Sequence, residues 1–102
     1  MGKELRLSGQ NFNPEAALQF VQRRFRVEQH GTSLMGLFML TPEATSARLS
    51  SPETWPPVFV SVEATGFYFC DNLCAAQEAA LIFKQLCEFM LTTNEDIQVA
   101  EL

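Results

Sequence analysis

The stretch from Val58 to Leu91 reads as a β-hairpin running directly into a long amphipathic helix, and this unit constrains what the other residues can build around it. Val58, Val60, Val62 and Ala64 alternate with Phe59, Ser61 and Glu63, the period-two pattern of a strand with one buried face. Thr65-Gly66 then turns the chain, because glycine accepts the positive φ that tight hairpin turns require, and Phe67-Tyr68-Phe69-Cys70 suits a pleated surface. Asp71 or Asn72 is expected to cap a helix from Leu73 to Leu91. That segment lacks Gly and Pro, and at about 1.5 Å per residue it would be roughly 28 Å long.

On a 3.6-residue wheel, Gln77, Glu78, Lys84, Gln85 and Glu88 gather on one side of this helix. Ala79, Ile82, Phe83, Leu86, Cys87, Phe89 and Met90 fall on the other. The apolar arc covers more than half the circumference, which predicts a second contact besides the sheet: the first helix, a partner subunit or a ligand. Leu81 stands within the polar side, either as an ordinary exposed leucine or as part of an interface.

At 102 residues the chain is one domain, 1–102, large enough to bury a core without metal or disulfides. Its 47% hydrophobic and 19% charged residues place it among globular proteins. Seven basic against twelve acidic residues give a net charge of −5. That sign argues against nucleic acid and against anionic lipid, and favours basic partners. No run of roughly 18 apolar residues exists to span a bilayer. The start, Met1 to Leu7, has no signal-type apolar core, and Arg6 stands where a myristoylation signal needs Ser or Thr. An odd set of three cysteines fits the same expectation of a cytoplasmic protein.

In chain order, Glu4 to Leu7 alternates as a short first strand. Asn13-Pro14-Glu15 then starts a helix: Asn caps, Pro suits the first turn, and Glu complements the dipole. This helix carries Ala17, Leu18, Phe20 and Val21 on one side and ends near Arg24. Phe25 fits either another helical turn or the strand that continues through Val27. His30-Gly31 reads as a hairpin turn. Ser33 to Leu40 is apolar on both faces, the mark of a central strand covered on both sides or lying beside a pocket, and Gly36 within it marks a bulge or the close approach of another group. Pro42 to Leu49 is expected to form a short helix or, alternatively, a loop or edge strand. Ser50 to Pro57, SSPETWPP, is a stiff connection carrying the only tryptophan, Trp55. Ile97 to Leu102 alternates as a last strand.

No catalytic constellation emerges from the residue types. Cys70, Cys74, Cys87 and the single His30 are too few for a zinc site within one chain, and no cofactor motif is present. Cys74, in the expected first turn of the long helix, is the one candidate nucleophile, with His30 as a conceivable base; packing and an exposed turn are the simpler roles. Arg23, Arg24 and Arg26 form the only basic cluster. They either compensate the end of the first helix or hold an anionic or carboxylate group. Trp55 reads as a recognition residue or as a lid over its own core. Phe67 and Phe69 share one side of their strand, and Tyr68 faces the other with Cys70.

The expected fold is α+β, a mainly antiparallel sheet of five to six strands with two principal helices packed against it. The expected function is that of a small acidic non-enzymatic binding protein (an adaptor, inhibitor, immunity-type or chaperone-like module) acting through an apolar surface on a protein partner or a second copy of itself. The alternative is a small-molecule binding domain, with Met35, Met39, Phe59, Phe67, Phe69 and Tyr68 lining an apolar pocket between sheet and helices. A cysteine enzyme is the third reading.

Overall fold

The structure, a computed structural model, describes residues 2–40 and 55–102. The expected short helix at Pro42 to Leu49 and the first part of the Ser50 to Pro57 connection lie outside the described residues. The chain runs β1 (Lys3–Ser8), α1 (Pro14–Arg24), β2 (Phe25–His30), β3 (Leu34–Met39), β4 (Val58–Val62), β5 (Gly66–Asp71), α2 (Ala76–Leu91) and β6 (Gln98–Glu101). The strands form one six-stranded antiparallel sheet in the order β2-β3-β4-β5-β1-β6. This is the α+β architecture expected from the alternating segments.

Asn13 caps α1 as its position before Pro14 implies, its Oδ1 accepting from the amides of Glu15 at 3.0 Å and Ala16 at 3.2 Å. Phe25 resolves in favour of the strand. It is extended at φ −129° and ψ 158° and pairs with Met39, so the helix passes into β2 without a loop. The start of α2 differs from expectation. Its N-cap position is Ala75, with no side-chain cap, because Asp71 and Asn72 are engaged elsewhere: Asp71 Oδ1 accepts from the amide of Leu73 at 2.8 Å, and Asn72 Nδ2 donates to the carbonyl of Pro56 at 2.8 Å. Gly66 is also used differently. Its φ is not positive; the glycine is needed because a Cβ there would run into the carbonyl oxygen of Leu7 on β1.

Antiparallel pairing puts directly opposed residues on the same face. Leu5 and Leu7 of β1, Phe67 and Phe69 of β5, Val58 and Val60 of β4, Met35 and Leu37 of β3, and Phe25 of β2 therefore share one side. Ala17 and Val21 from α1 and Ala79, Ile82, Leu86 and Met90 from α2 complete the core on that side. Each fully buried Leu, Ile or Phe contributes about 1.5–3 kcal/mol by leaving water. The helices meet each other as the wide apolar arc requires, with the rings of Phe20 and Phe89 stacked at 4.6 Å. Leu81 is 49% exposed.

Asn94 is the buried polar residue of the core, 8% exposed, and it ties the end of α2 to the loop after β1. Its Oδ1 accepts from the amide of Asn11 at 2.8 Å, and its Nδ2 donates to the carbonyls of Asn11 and Met90, both at 2.8 Å. Asn94→Ala leaves these backbone groups unpaired. It is expected to cost about 2–3 kcal/mol, lowering the melting temperature by roughly 10–20 °C in a thermal scan.

Candidate functional site

Both helices lie on one face of the sheet, so the side chains that alternate with the core residues point to the other. Register fixes this open face: Gly36 opposes Phe59, Phe59 opposes Cys70, and Cys70 opposes Glu4. Tyr68 stands beside this row, between Ser61 and Arg6. Phe59, Cys70 and Glu4 of this row, with Gly2, Trp55, Tyr68, Asn72 and Cys74, line a hollow of about 500 Å³.

The lip is the end of the β3–β4 connection, held from three sides. Pro56 packs so closely over Gly36 that a Cβ there would meet its ring, which identifies the group that the glycine admits. Asn72 holds Pro56 by the side-chain hydrogen bond described above and Pro57 by its amide, which donates to the carbonyl of Pro57 at 3.0 Å. Cys74 Sγ lies 3.6 Å from the carbonyl oxygen of Pro56 and 3.9 Å from that of Trp55. Trp55 itself is 63% exposed and meets Phe59 edge-on, with ring centroids 6.1 Å apart and planes at 89°. On the far side of Phe59 the ring of His30 lies 4.8 Å away, its Nε2 3.0 Å from Glu28 Oε1.

Tyr68 donates from its hydroxyl to Glu4 Oε1 at 2.7 Å. Burial, followed by this hydrogen bond, pushes the phenol well above its ordinary range, so it is a neutral donor at any physiological pH. Burial also raises the thiols of Cys70 and Cys87. Arg6, next to Tyr68 on the same face, is held in a two-point contact by Glu63, Nε to Oε1 at 2.9 Å and Nη2 to Oε2 at 3.3 Å.

The residues singled out from the sequence divide between the two faces. Trp55 and Tyr68 meet at the hollow, together with Phe59. Phe67, Phe69 and Met35, at 0%, 2% and 4% exposure, fill the core under the helices and present no surface to a ligand, and Met39 packs against that core. The expected pocket between sheet and helices is therefore packed solid, and the cavity lies on the opposite face. The arginine cluster is split. Arg23 and Arg24 end α1, with Arg24 Nη1 donating to Gln85 Oε1 at 3.2 Å and the guanidinium 5.5 Å from the centre of the Phe20 ring. Arg26 lies over the Phe38 ring at 4.1 Å, on the open face.

Cys74 precedes α2 rather than occupying its first turn, so the helix-dipole argument for a reactive thiol does not apply. No hydrogen bond joins it to His30 among the described residues, whose ring is engaged by Glu28 and Phe59. Glu4 and Asn72 are the wall residues that sequence reasoning passed over. Glu4 sits on a strand too short to draw attention, and Asn72 was assigned to a helix cap. Among the described residues no three His, Cys, Asp or Glu side chains are grouped to hold a metal ion, and no helix is long and apolar enough to cross a membrane.

Comparison with protein-family models, with curated proteins and with solved structures gave no match.

Two measurements check this geometry. Tyr68 is the only tyrosine, so its phenolate absorbance reports one group. Its midpoint is expected above the roughly 10 of a free tyrosine and should move down in Tyr68's neighbour variant Glu4→Gln. Alkylation under native conditions should modify Cys74 first, with Cys70 and Cys87 slower because both are half-buried and their thiols are held in the protonated form.

Proposed function

We propose that this is a small non-enzymatic binding protein that takes a small molecule into the hollow on the open face of its sheet. The observation that carries the reading is the hollow itself: its volume of about 500 Å³ falls within the range of small-ligand sites, and its wall combines three aromatic rings with a few fixed polar groups. Supporting it, the lip is held by protein contacts alone, Asn72 and Cys74 meeting the carbonyl of Pro56 and Gly36 leaving room for its ring, so the site is largely pre-formed. Three free thiols fit a cytoplasmic setting.

A protein partner or a second copy needs a contiguous apolar patch. Besides Trp55, the exposed large apolar residues among those described are spread over α1 (Leu18), the position after β3 (Leu40), the link before α2 (Leu73), α2 (Leu81, Leu91), β6 (Val99) and the C-terminal Leu102. Trp55 is the one that borders a cavity. The competing protein-binding role, whether adaptor, inhibitor, immunity-type or chaperone-like, accordingly has less to support it.

The test is a fragment screen by thermal shift, with Trp55 emission as a local reporter. Fragments that occupy the hollow raise the melting temperature of the wild type, because they bind only the folded state, and they change the emission of the single tryptophan. The stabilisation is expected to disappear in both Trp55→Ala and Tyr68→Ala. Stabilisation that survives in both variants sinks the proposal, as does light scattering that finds a dimer in which Trp55 is shielded from an added quencher.

A further inference from the structure

Resting on the ligand-site reading above, we infer that the occupant of the hollow is a small organic cation of the ammonium type, held over the rings of Trp55, Phe59 and Tyr68 and against the carboxylate of Glu4. The wall offers acceptors and π-faces to whatever enters. Among the described residues, Glu4 is the one side chain lining it that carries a full charge, and no described Lys or Arg side chain lines it. Glu4 Oε1 is fixed by the Tyr68 hydroxyl at 2.7 Å, while Oε2 has no partner among the described residues. The carbonyl oxygens of Trp55 and Pro56 are met by a thiol only at 3.9 and 3.6 Å, and Pro56 also accepts from Asn72 at 2.8 Å.

Each class of occupant meets this wall differently. An anion would face the Glu4 carboxylate with no cation among the described wall residues to offset it. An uncharged apolar molecule would fit the rings, but it would cover Glu4 Oε2 without replacing the water it displaces. An ammonium group satisfies both parts of the wall at once, since the faces of aromatic rings are negative and attract a cation directly. The neighbouring cation on the same face, Arg6, is already neutralised by Glu63 in two hydrogen bonds. Burial keeps Cys70 a neutral thiol, so it adds neither charge nor competition. The net charge of −5 adds a background field of the same sign.

The experiment titrates the full chain with choline and with its uncharged carbon isostere 3,3-dimethylbutan-1-ol, following Trp55 emission. A peptide bearing a single lysine serves as a third arm. Choline is expected to bind about tenfold or more tightly than the alcohol and to weaken with added salt. Glu4→Gln, whose side chain can still accept from Tyr68, should lose about tenfold in choline affinity while leaving the alcohol unchanged. Equal affinities for the two isosteres overturn the inference and leave the ligand-site reading standing. Choline affinity that persists in Glu4→Gln overturns the role of the carboxylate, and binding of the lysine peptide without binding of choline overturns the small-molecule occupant. If neither isostere moves Trp55, the inference fails; the ligand-site reading fails with it only when the neutral fragments of the screen also leave the hollow empty.

Discussion

Two helices cannot cover both faces of a six-stranded sheet, and most of what distinguishes this molecule follows from where they go. α1 and α2 lie together on the face formed by Leu7, Phe67, Phe69, Val58, Val60 and Leu37, joined by the stacked rings of Phe20 and Phe89. Their pairing uses the apolar arc of α2 that is too broad for the sheet alone. It also leaves the opposite face with no secondary structure among the described residues to cover it, so the Trp55-Pro56-Pro57 segment is what reaches across β3 and β4. Gly36 permits that reach by letting Pro56 sit where a side chain would otherwise stand.

A sheet face that carries no helix among the described residues has to moderate its own apolar surface. Here its aromatic rings are matched with polar groups: Arg26 over Phe38, His30 against Phe59, and the Tyr68 hydroxyl on Glu4. The Arg26 guanidinium lies over a ring that is only 2% exposed, with its own Nε buried and without a hydrogen-bond partner among the described residues, while a Tyr presents a ring with a polar tip. Such pairings make the face amphipathic. Trp55 and Phe59 meet edge-on, and both line the hollow together with Tyr68.

Much of this fold was legible in local patterns, and the parts that were not have physical reasons. The Asn13-Pro14 start of α1 and the His30-Gly31 turn follow from short-range rules that tertiary contacts do not override; the β4–β5 hairpin forms where its alternation puts it, but its Gly66 answers to the backbone of β1 rather than to a turn. Phe25 was ambiguous because its side chain reaches the same core from a helix or from a strand; pairing with Met39 decides it. Period-two alternation separated Tyr68 from Phe67 and Phe69, but alternation says only which residues share a face. It does not say which face the helices choose, so Phe67, Phe69 and Met35 were assigned to a pocket and turn out to be core. Of the site, Trp55, Phe59 and Tyr68 could be picked out by residue type. Glu4 reaches it through β1–β5 pairing, a contact across 64 residues that no local pattern encodes.

The link from Asp71 to Ala75 shows where local stability has given way to the hollow. Leu73 is held at φ 61°, the left-handed region, and is 67% exposed; a left-handed backbone costs a leucine roughly 1–2 kcal/mol. α2 begins three residues later without a side-chain cap, forgoing about 1 kcal/mol more. Asp71 and Asn72 are both good capping residues and both stand close to the helix. Their hydrogen bonds go instead to the amide of Leu73 and to the carbonyl of Pro56, and the amide of Asn72 goes to Pro57. Of the two, Asn72 holds Pro56 and Pro57 over the sheet, and Asp71 fixes the backbone of the link itself. Local preference is broken on one side of the hollow and satisfied at α1, where Asn13 does cap. That contrast places the departure from local preference at the hollow's lip rather than in the core, which is where the proposed site would call for it.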